Sequence, residues 1–506
     1  MTQNLPAELG DMDSETFRRS AHQLVDWISD YLAGGSDHRA VLSQVAPGDI
    51  RRSLPTSAPE HGEPMEQILD DFQRILVPGL TQWNHPAFFA YFNSTGSAPG
   101  VLAEFLTAAL NQQAMLWRTS PAATELEEVA TGWLRGLLGL PESFEGVIND
   151  SGSSSTFHAL LAAREVAVAD VRMHGLSGRP DVPRLRVYSS ELAHSSVDKA
   201  LMALGLGHTA LKKIPVDDEY RLRPDVLETA IREDQSAGVL PVGVVATVGT
   251  TSTGSVDPVP AIASLCRAHG MWLHVDACHA GTAAMLPEQS FIFDGVAEAD
   301  SVVVNPHKWM FTPMDASVLF SRRMDTLRSA LALTPDYLET REAGAVHNLM
   351  DTGIALGRRF RALKLWIVMR VFGAEGLRAR LREHIRLARE FASWVEAHAE
   401  FELMAPVSLS LVCFRAAPRG LDDAALNALN EELLERLNAT GEAYLSHTRL
   451  RDRYVLRLAV GHIRTEESHV ARTWTLLRET LRGMTATGES VDVGAPPTGS
   501  RLWQVG

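Results

Sequence analysis

Four short apolar runs in the middle of the chain constrain the fold more than any other feature. They are LRVYSS (185–190), VGVVATVG (242–249), MWLHVDA (271–277) and DSVVVNPH (300–307). They are valine-rich and lack the polar alternation of a strand with one wet face, so both faces need covering. Helical stretches lie between them at Val197–Leu204, Pro224–Glu233 and Pro258–Ala268. Strand–helix–strand at this spacing predicts a mostly parallel α/β sheet with right-handed crossovers. Ligands on such sheets bind beyond the carboxyl ends of the strands.

The flanking segments read differently. Asp13 or Ser14 can cap a first helix, on which Phe17, Ala21, Leu24, Val25, Ile28 and Leu32 share one face. An irregular Pro/Gly/Ser-rich stretch from Ala46 to Pro64 precedes a second helix near Met65–Leu76. Past the long helix through Lys364–Val371, helices at 376–398, 422–438 and 466–482 and strands at 409–415 and 453–460 predict a smaller α/β unit. The expected division is 1–95 (N-terminal helical segment), 96–372 (large α/β domain), 373–483 (small C-terminal α/β domain) and 484–506 (polar, disordered tail).

Lys and Arg number 47 against 62 Asp and Glu, a net charge of −15. That balance excludes a basic surface for nucleic acid or anionic lipid. No apolar run is long enough to span a membrane, and the N-terminus has no basic n-region or apolar h-region. Three cysteines, Cys266, Cys278 and Cys413, form no disulfide framework and suit a reducing compartment. The expected location is the cytoplasm, with no nucleic-acid or membrane partner.

Four strand-end features carry chemistry. In GVINDSGSSSTFHALLAARE, a strand-like GVI runs through small residues into a helix whose first N–H groups can cradle an anion. In SSELAHSS, His194 follows a strand and can stack on a flat ring. In LHVDACHAG, Asp276 ends a buried strand, and a buried carboxylate stays charged only beside a cation, such as a protonated pyridine nitrogen. In VVVNPHKWMF, Lys308 follows His307 past an apolar strand, where desolvation makes an amine nucleophilic and able to hold an aldehyde. Taken singly, each also reads as an ordinary cap, turn, core or surface residue. His274, Asp276 and Cys278, spaced by two with His279 following, are metal-ligand types, but a flat strand face rarely closes a tetrahedral set. No metal is expected.

Anion cradle, His, Asp and Lys in this order resembles the pyridoxal-phosphate enzymes of the aspartate-aminotransferase-like fold, fold type I. HPAFFAYFNS, SPAATELE, SSELAHSS, VATVGTT, HVDA, NPHKW and LGRRFRALKLW further resemble the group II pyridoxal-phosphate decarboxylases, above all the aromatic-L-amino-acid decarboxylases of dopa, tryptophan and tyrosine. The similarity runs from about residue 12 to about residue 482. It implies pyridoxal 5'-phosphate as cofactor, an aromatic amino-acid substrate, and a homodimer with shared active sites. By matching position, Lys308 resembles the lysine that holds the cofactor aldehyde, and Asp276 the partner of the pyridine nitrogen. Gly152, Ser153 and Asn305 resemble phosphate-binding positions, Thr251 a threonine near the ring, and His194 the stacking histidine. His307 is expected beside the substrate or a loop, and Cys278 under the ring. Tyr337, in TPDYLET, resembles a loop tyrosine that protonates the carbanion. Trp83, Tyr91, Phe92, Ser94, Met115, His194 and Gly357 fall at substrate positions.

The implied reaction is decarboxylation to an arylalkylamine through a Lys308 aldimine and a quinonoid. The alternatives are an aromatic acetaldehyde synthase and a decarboxylase of a non-aromatic amino acid. In the family, phenylalanine at the Tyr337 position or asparagine at the His194 position goes with aldehyde synthases; here both hold the decarboxylase residue. The chain departs from the pattern at Cys278 (usually alanine), His279 (usually Tyr or Trp), Met115 (phenylalanine in animal members) and Asn93 (usually proline). Gly357 matches the glycine that in plant members goes with indole substrates. Arg358, Arg359 and Arg361 read either as a carboxylate clamp or as a solvated or interface face.

Overall fold

The computed structural model describes residues 10–333, 342 and 345–486. A seven-stranded sheet is built from β1 (Glu145–Asn149), β2 (Leu185–Ser190), β3 (Leu211–Ile214), β4 (Leu240–Thr247), β5 (Trp272–Asp276), β6 (Ser301–Val304) and β7 (Ser317–Ser321). Its spatial order is β1-β7-β6-β5-β4-β2-β3. β7 is antiparallel to both neighbours, and the other strands run one way. The four expected strands are all present, and the interior ones are buried along their length.

The valine runs are covered on both faces because successive residues point to opposite sides. Val244, Ala246, Val275, Val302 and Val304 pack under the helices Pro121–Leu137, Pro224–Ser236, Val259–His269 and the long Ala362–Glu396. Val187, Val245, Trp272 and Leu319 face the helices Gly152–Ala167, Ser196–Ala203 and Met324–Leu331. Each buried valine contributes about 1.5–3 kcal/mol relative to exposure.

The second sheet is antiparallel throughout, in the order β10-β11-β9-β8. Its strands are β8 (Phe401–Leu403), β9 (Leu411–Ala416), β10 (Ser446–Leu450) and β11 (Arg453–Ala459). The helix Ala362–Glu396 is interrupted at Gly373, whose φ of 62° suits glycine. Phe88 and Phe89 are packed into the core of this smaller unit, and Phe89 N–H donates to the Tyr444 carbonyl at 2.8 Å. The last helix runs Glu467–Ala486, so the expected tail begins inside it; residues 487–506 lie outside the described residues.

The first helix is Ser14–Asp30, and the Asp13 carboxylate accepts from the N–H groups of Glu15 and Thr16. Its apolar face is left open. Phe17 and Val25, with Leu102 and Phe105 of the helix Ala98–Leu110, border a groove of about 670 Å³. Among the described residues, no helix is long and apolar enough to cross a membrane.

Candidate active site

Five features sit at the carboxyl ends of strands that all run the same way, so topology brings them to one edge. β1 leads through Ser151 into the helix beginning at Gly152. β2 leads to His194, β4 to Thr251, β5 ends on Asp276, and β6 leads to Lys308. β6, β5, β4 and β2 are neighbours in the sheet, which places Lys308, Asp276, Thr251 and His194 in sequence across it.

The Asp276 carboxylate is 7 % exposed, and its Oδ1 accepts from the Cys278 N–H at 3.1 Å. Among the described residues it has no ion-pair partner. Lys308, on the adjacent strand end, is half-buried and also has none. Its backbone N–H donates to the Asn305 carbonyl at 2.9 Å, and its Nζ lies 5.9 Å from the centre of the Phe92 ring. Before it, His307 Nδ1 accepts from the Ala316 N–H at 3.0 Å, which leaves the ring proton on Nε2. Burial, with Lys308 beside it, lowers the His307 pKa to about 4.

His194 is exposed at the mouth. Its Nδ1 accepts from the Ser196 N–H at 3.1 Å, so Nε2 is the free position. Burial of the ring against the protein and the nearby Lys308 charge lower its pKa, while Asp276 opposes them. A neutral, flat ring results.

The helix Gly152–Ala167 is capped by the Ser151 hydroxyl, which accepts from the Ser154 N–H at 3.2 Å. The first N–H groups, including those of Gly152 and Ser153, are left for an anion. The backbone there is closely approached: a Cβ on Gly152 would lie 2.5 Å from Cys278 Sγ and 3.0 Å from Asn305 Nδ2. Asn305 is buried, and its Oδ1 has no hydrogen-bond partner among the described residues. These groups fit pyridoxal phosphate: an amine for the aldehyde, an unpaired buried carboxylate for the ring nitrogen, and open N–H groups for the phosphate.

The remaining expected residues divide. Phe92 is buried and stacks on His279 with centroids 3.7 Å apart, and His279 stacks on Trp309 at 5.0 Å. Ser94 is half-buried nearby in sequence. Trp83 and Tyr91 stack at 6.0 Å and are exposed, and the Tyr91 hydroxyl meets that of Tyr444 at 3.1 Å. Met115 and Gly357 lie with another segment. The Met115 carbonyl accepts from the Met350 N–H at 3.1 Å, and a Cβ on Gly357 would meet Gln113 Nε2 at 3.2 Å. Gly357 shares a cavity of about 390 Å³ with Ser153 and His158. Tyr337 lies outside the described residues. His274 faces inward, its Nδ1 2.9 Å from Ser301 Oγ. Among the described residues, no group of three or more His, Cys, Asp or Glu is placed to hold a metal ion.

Of the three arginines, Arg358 is buried and pairs with buried Glu127 at 2.8 Å, so it is on neither a clamp nor a solvated face. Arg359 pairs with Glu104 and Arg361 with Asp315.

Two features were missed from sequence. Arg457, on β11, is buried without a carboxylate partner among the described residues. It donates to the Thr251 carbonyl (2.6 Å), the Ser252 carbonyl (3.1 Å) and Ser446 Oγ (2.8 Å), and lies 5.4 Å from the Phe92 ring centre. It thereby ties the small unit to the loop after β4. The only signal was an arginine inside the apolar run VLRLAV. The ring ladder Phe92–His279–Trp309–His384 joins residues far apart in sequence, and the Trp309 indole N–H donates to His384 Nδ1 at 2.9 Å. His279 is buried with neither ring nitrogen bonded, and burial holds its pKa well below the usual histidine range.

A sheet with one antiparallel strand, a lysine and an unpaired carboxylate on adjacent strand ends, and an anion cradle beside them define a pyridoxal-phosphate enzyme. Residues 47–417 match the pyridoxal-dependent decarboxylase conserved domain, and the chain belongs to that family. It is 41% identical to a phenylacetaldehyde synthase of Arabidopsis thaliana, over 93% of this chain and 97% of that protein. It is 39% identical to the aromatic-L-amino-acid decarboxylase of Rattus norvegicus, over 92% and 98%. The crystal structure of Oryza sativa TDC with PLP and tryptamine superposes with a TM-score of 0.90 at 37% identity, covering 94% of this chain and 99% of that one.

Proposed function

We propose that this enzyme decarboxylates an aromatic L-amino acid to the arylalkylamine and CO2 with pyridoxal 5'-phosphate, at the site around Lys308. One observation carries the reading: among the described residues, buried Asp276 has no cationic partner, and Lys308 stands on the next strand end. When bound, the cofactor takes up the electron pair that CO2 leaves at Cα.

The chain's own residues supply the rest. Lys308 would hold the cofactor's aldehyde. Asp276 keeps a proton on the ring nitrogen. Neutral His194 covers the ring plane with Nε2 free for the substrate carboxylate. Gly152, Ser153 and Asn305 receive the phosphate, with Thr251, Cys278 and His307 around the ring. Trp83, Tyr91, Phe92 and Ser94 receive the aromatic side chain. Tyr337 delivers a proton to Cα as general acid.

The open apolar groove between the helices Ser14–Asp30 and Ala98–Leu110 supports a homodimer, in which a second copy covers it. Met115 and Gly357 would contribute to the substrate pocket, Gly357 through the cavity it shares with Ser153. Three free cysteines and a net charge of −15 support a cytoplasmic location.

A second reading, an aromatic acetaldehyde synthase consuming oxygen, is supported by the Arabidopsis thaliana relative; Tyr337 and His194 favour the amine. The test is turnover in air of tryptophan, dopa, tyrosine and phenylalanine, with glutamate as control. Amine without peroxide from the aromatic substrates is expected. Aldehyde with stoichiometric peroxide would establish the second reading, and turnover of glutamate alone would reject both.

A further inference from the structure

Cys278 sits between three parts of the cofactor site: Asp276, Asn305 and Gly152. Its N–H donates to Asp276 Oδ1 at 3.1 Å, and its carbonyl accepts from the Asn305 N–H at 3.0 Å. Its buried sulfur lies beside the Asp276 carboxylate and the Asn305 side chain, and burial, with Asp276 next to it, holds the thiol well above its ordinary pKa. The sulfur also occupies the hollow over Gly152, 2.5 Å from where a Cβ would stand. Real Cβ contacts are never that short, so one of the two positions must be small. Gly152 has ordinary helical geometry, and nothing in its backbone conformation demands glycine. The requirement comes first from the sulfur, with Asn305 Nδ2 next at 3.0 Å.

We propose that Cys278 is a positioning residue of the cofactor site and forms a size-matched pair with Gly152. The sulfur sets the spacing between the phosphate cradle and the β5–β6 strand ends, and the thiol orients Asp276 toward the ring nitrogen. This rests on the reading that pyridoxal phosphate is bound here. It goes beyond an inert cysteine acting as a small hydrophobe, because it couples two sites and a protonation.

The test uses the full chain, stripped of cofactor and titrated with pyridoxal phosphate by quenching of intrinsic fluorescence. The proteins are wild type, Gly152→Ala, Cys278→Ala, Cys278→Ser and the double variant Gly152→Ala/Cys278→Ala. The pH midpoint of the bound cofactor's absorbance band is the second readout. Gly152→Ala alone is expected to weaken binding about tenfold or more, through overpacking. The double variant is expected to recover most of that loss, which marks the two positions as coupled. Cys278→Ala is expected to bind within about tenfold of wild type but to move the absorbance midpoint by roughly half a pH unit or more, the worth of one hydrogen bond. Cys278→Ser is expected to restore the midpoint.

Additive losses in the double variant, or an unmoved midpoint in Cys278→Ala, would overturn the proposal. The Cys278 variants introduce no clash, so the midpoint decides even if Gly152→Ala fails to fold. Both readouts are taken without substrate. Failure to turn over any aromatic amino acid would therefore count against the proposed function and not against this pair.

Discussion

At the scale of single residues, the site turns on a carboxylate that has no ion-pair partner among the described residues. Burying Asp276 without a cation is costly, and the protonated ring nitrogen of the proposed cofactor would offset that cost. Asp276→Asn keeps the shape and the Cys278 N–H contact but removes the charge. With a charged hydrogen bond worth about 1.5–3 kcal/mol, kcat for the preferred aromatic substrate is expected to fall ~10- to ~100-fold or more. Circular dichroism should be unchanged. Equal kcat in the variant would mean that Asp276 does not face the ring nitrogen. Lys308, Asp276 and His194 were legible in sequence because each follows a valine-rich strand and each residue type suits one role. Arg457 and the partners of His279 were not, because their roles come from contacts between distant segments.

At the scale of elements, direction and pairing decide what local pattern cannot. SVLFS in β7 is as apolar as its neighbours, and only its pairing with β1 and β6 shows that it runs backwards. LKKI in β3 is an edge strand whose lysines hid it from a search for apolar runs. Gly373 breaks a helix that the sequence pattern gives as two neighbouring pieces. The pairing of Arg358 with Glu127 joins the segment after residue 356 to the helix Pro121–Leu137. Glu127 also accepts from the Ile148 N–H at 2.8 Å, and Arg358 donates to the Ile148 carbonyl at 2.9 Å. Arg358→Met would strand a buried carboxylate and is expected to cost about 3–5 kcal/mol in urea unfolding of the apoprotein. Arg359→Met, at an exposed pair, is expected to cost less than about 1 kcal/mol. Equal costs would show that burial of Arg358 is not what makes its pairing matter.

At the scale of the whole molecule, burial of many histidines sets the response to acid. His158, His274, His307 and His384 are each lowered by burial to about 4, from 6.5. Between those values the folded protein keeps them neutral, while the unfolded chain binds their protons. Stability therefore rises with pH across this window and is lost on acidification, by up to ~1.4 kcal/mol per pH unit for each imidazole. Asp257, raised by burial to about 6, acts with the opposite sign, as do Glu128 and Asp351, while buried His462 and His279 add to the four histidines. The urea midpoint is expected to fall steadily from pH 6.5 toward 4; a flat or rising midpoint would show that these rings are protonated in the native state.

Lys308, at the end of β6 beside Asp276, is the amine proposed to hold the cofactor. Reduction of the cofactor-loaded enzyme with borohydride, followed by proteolysis and mass spectrometry, fixes the site of attachment directly. The predicted result is a single peptide, spanning NPHKW, that carries the pyridoxyl mass on Lys308. The same mass on Lys199 or Lys364 instead, with Lys308 unmodified, would mean that the cofactor is held elsewhere.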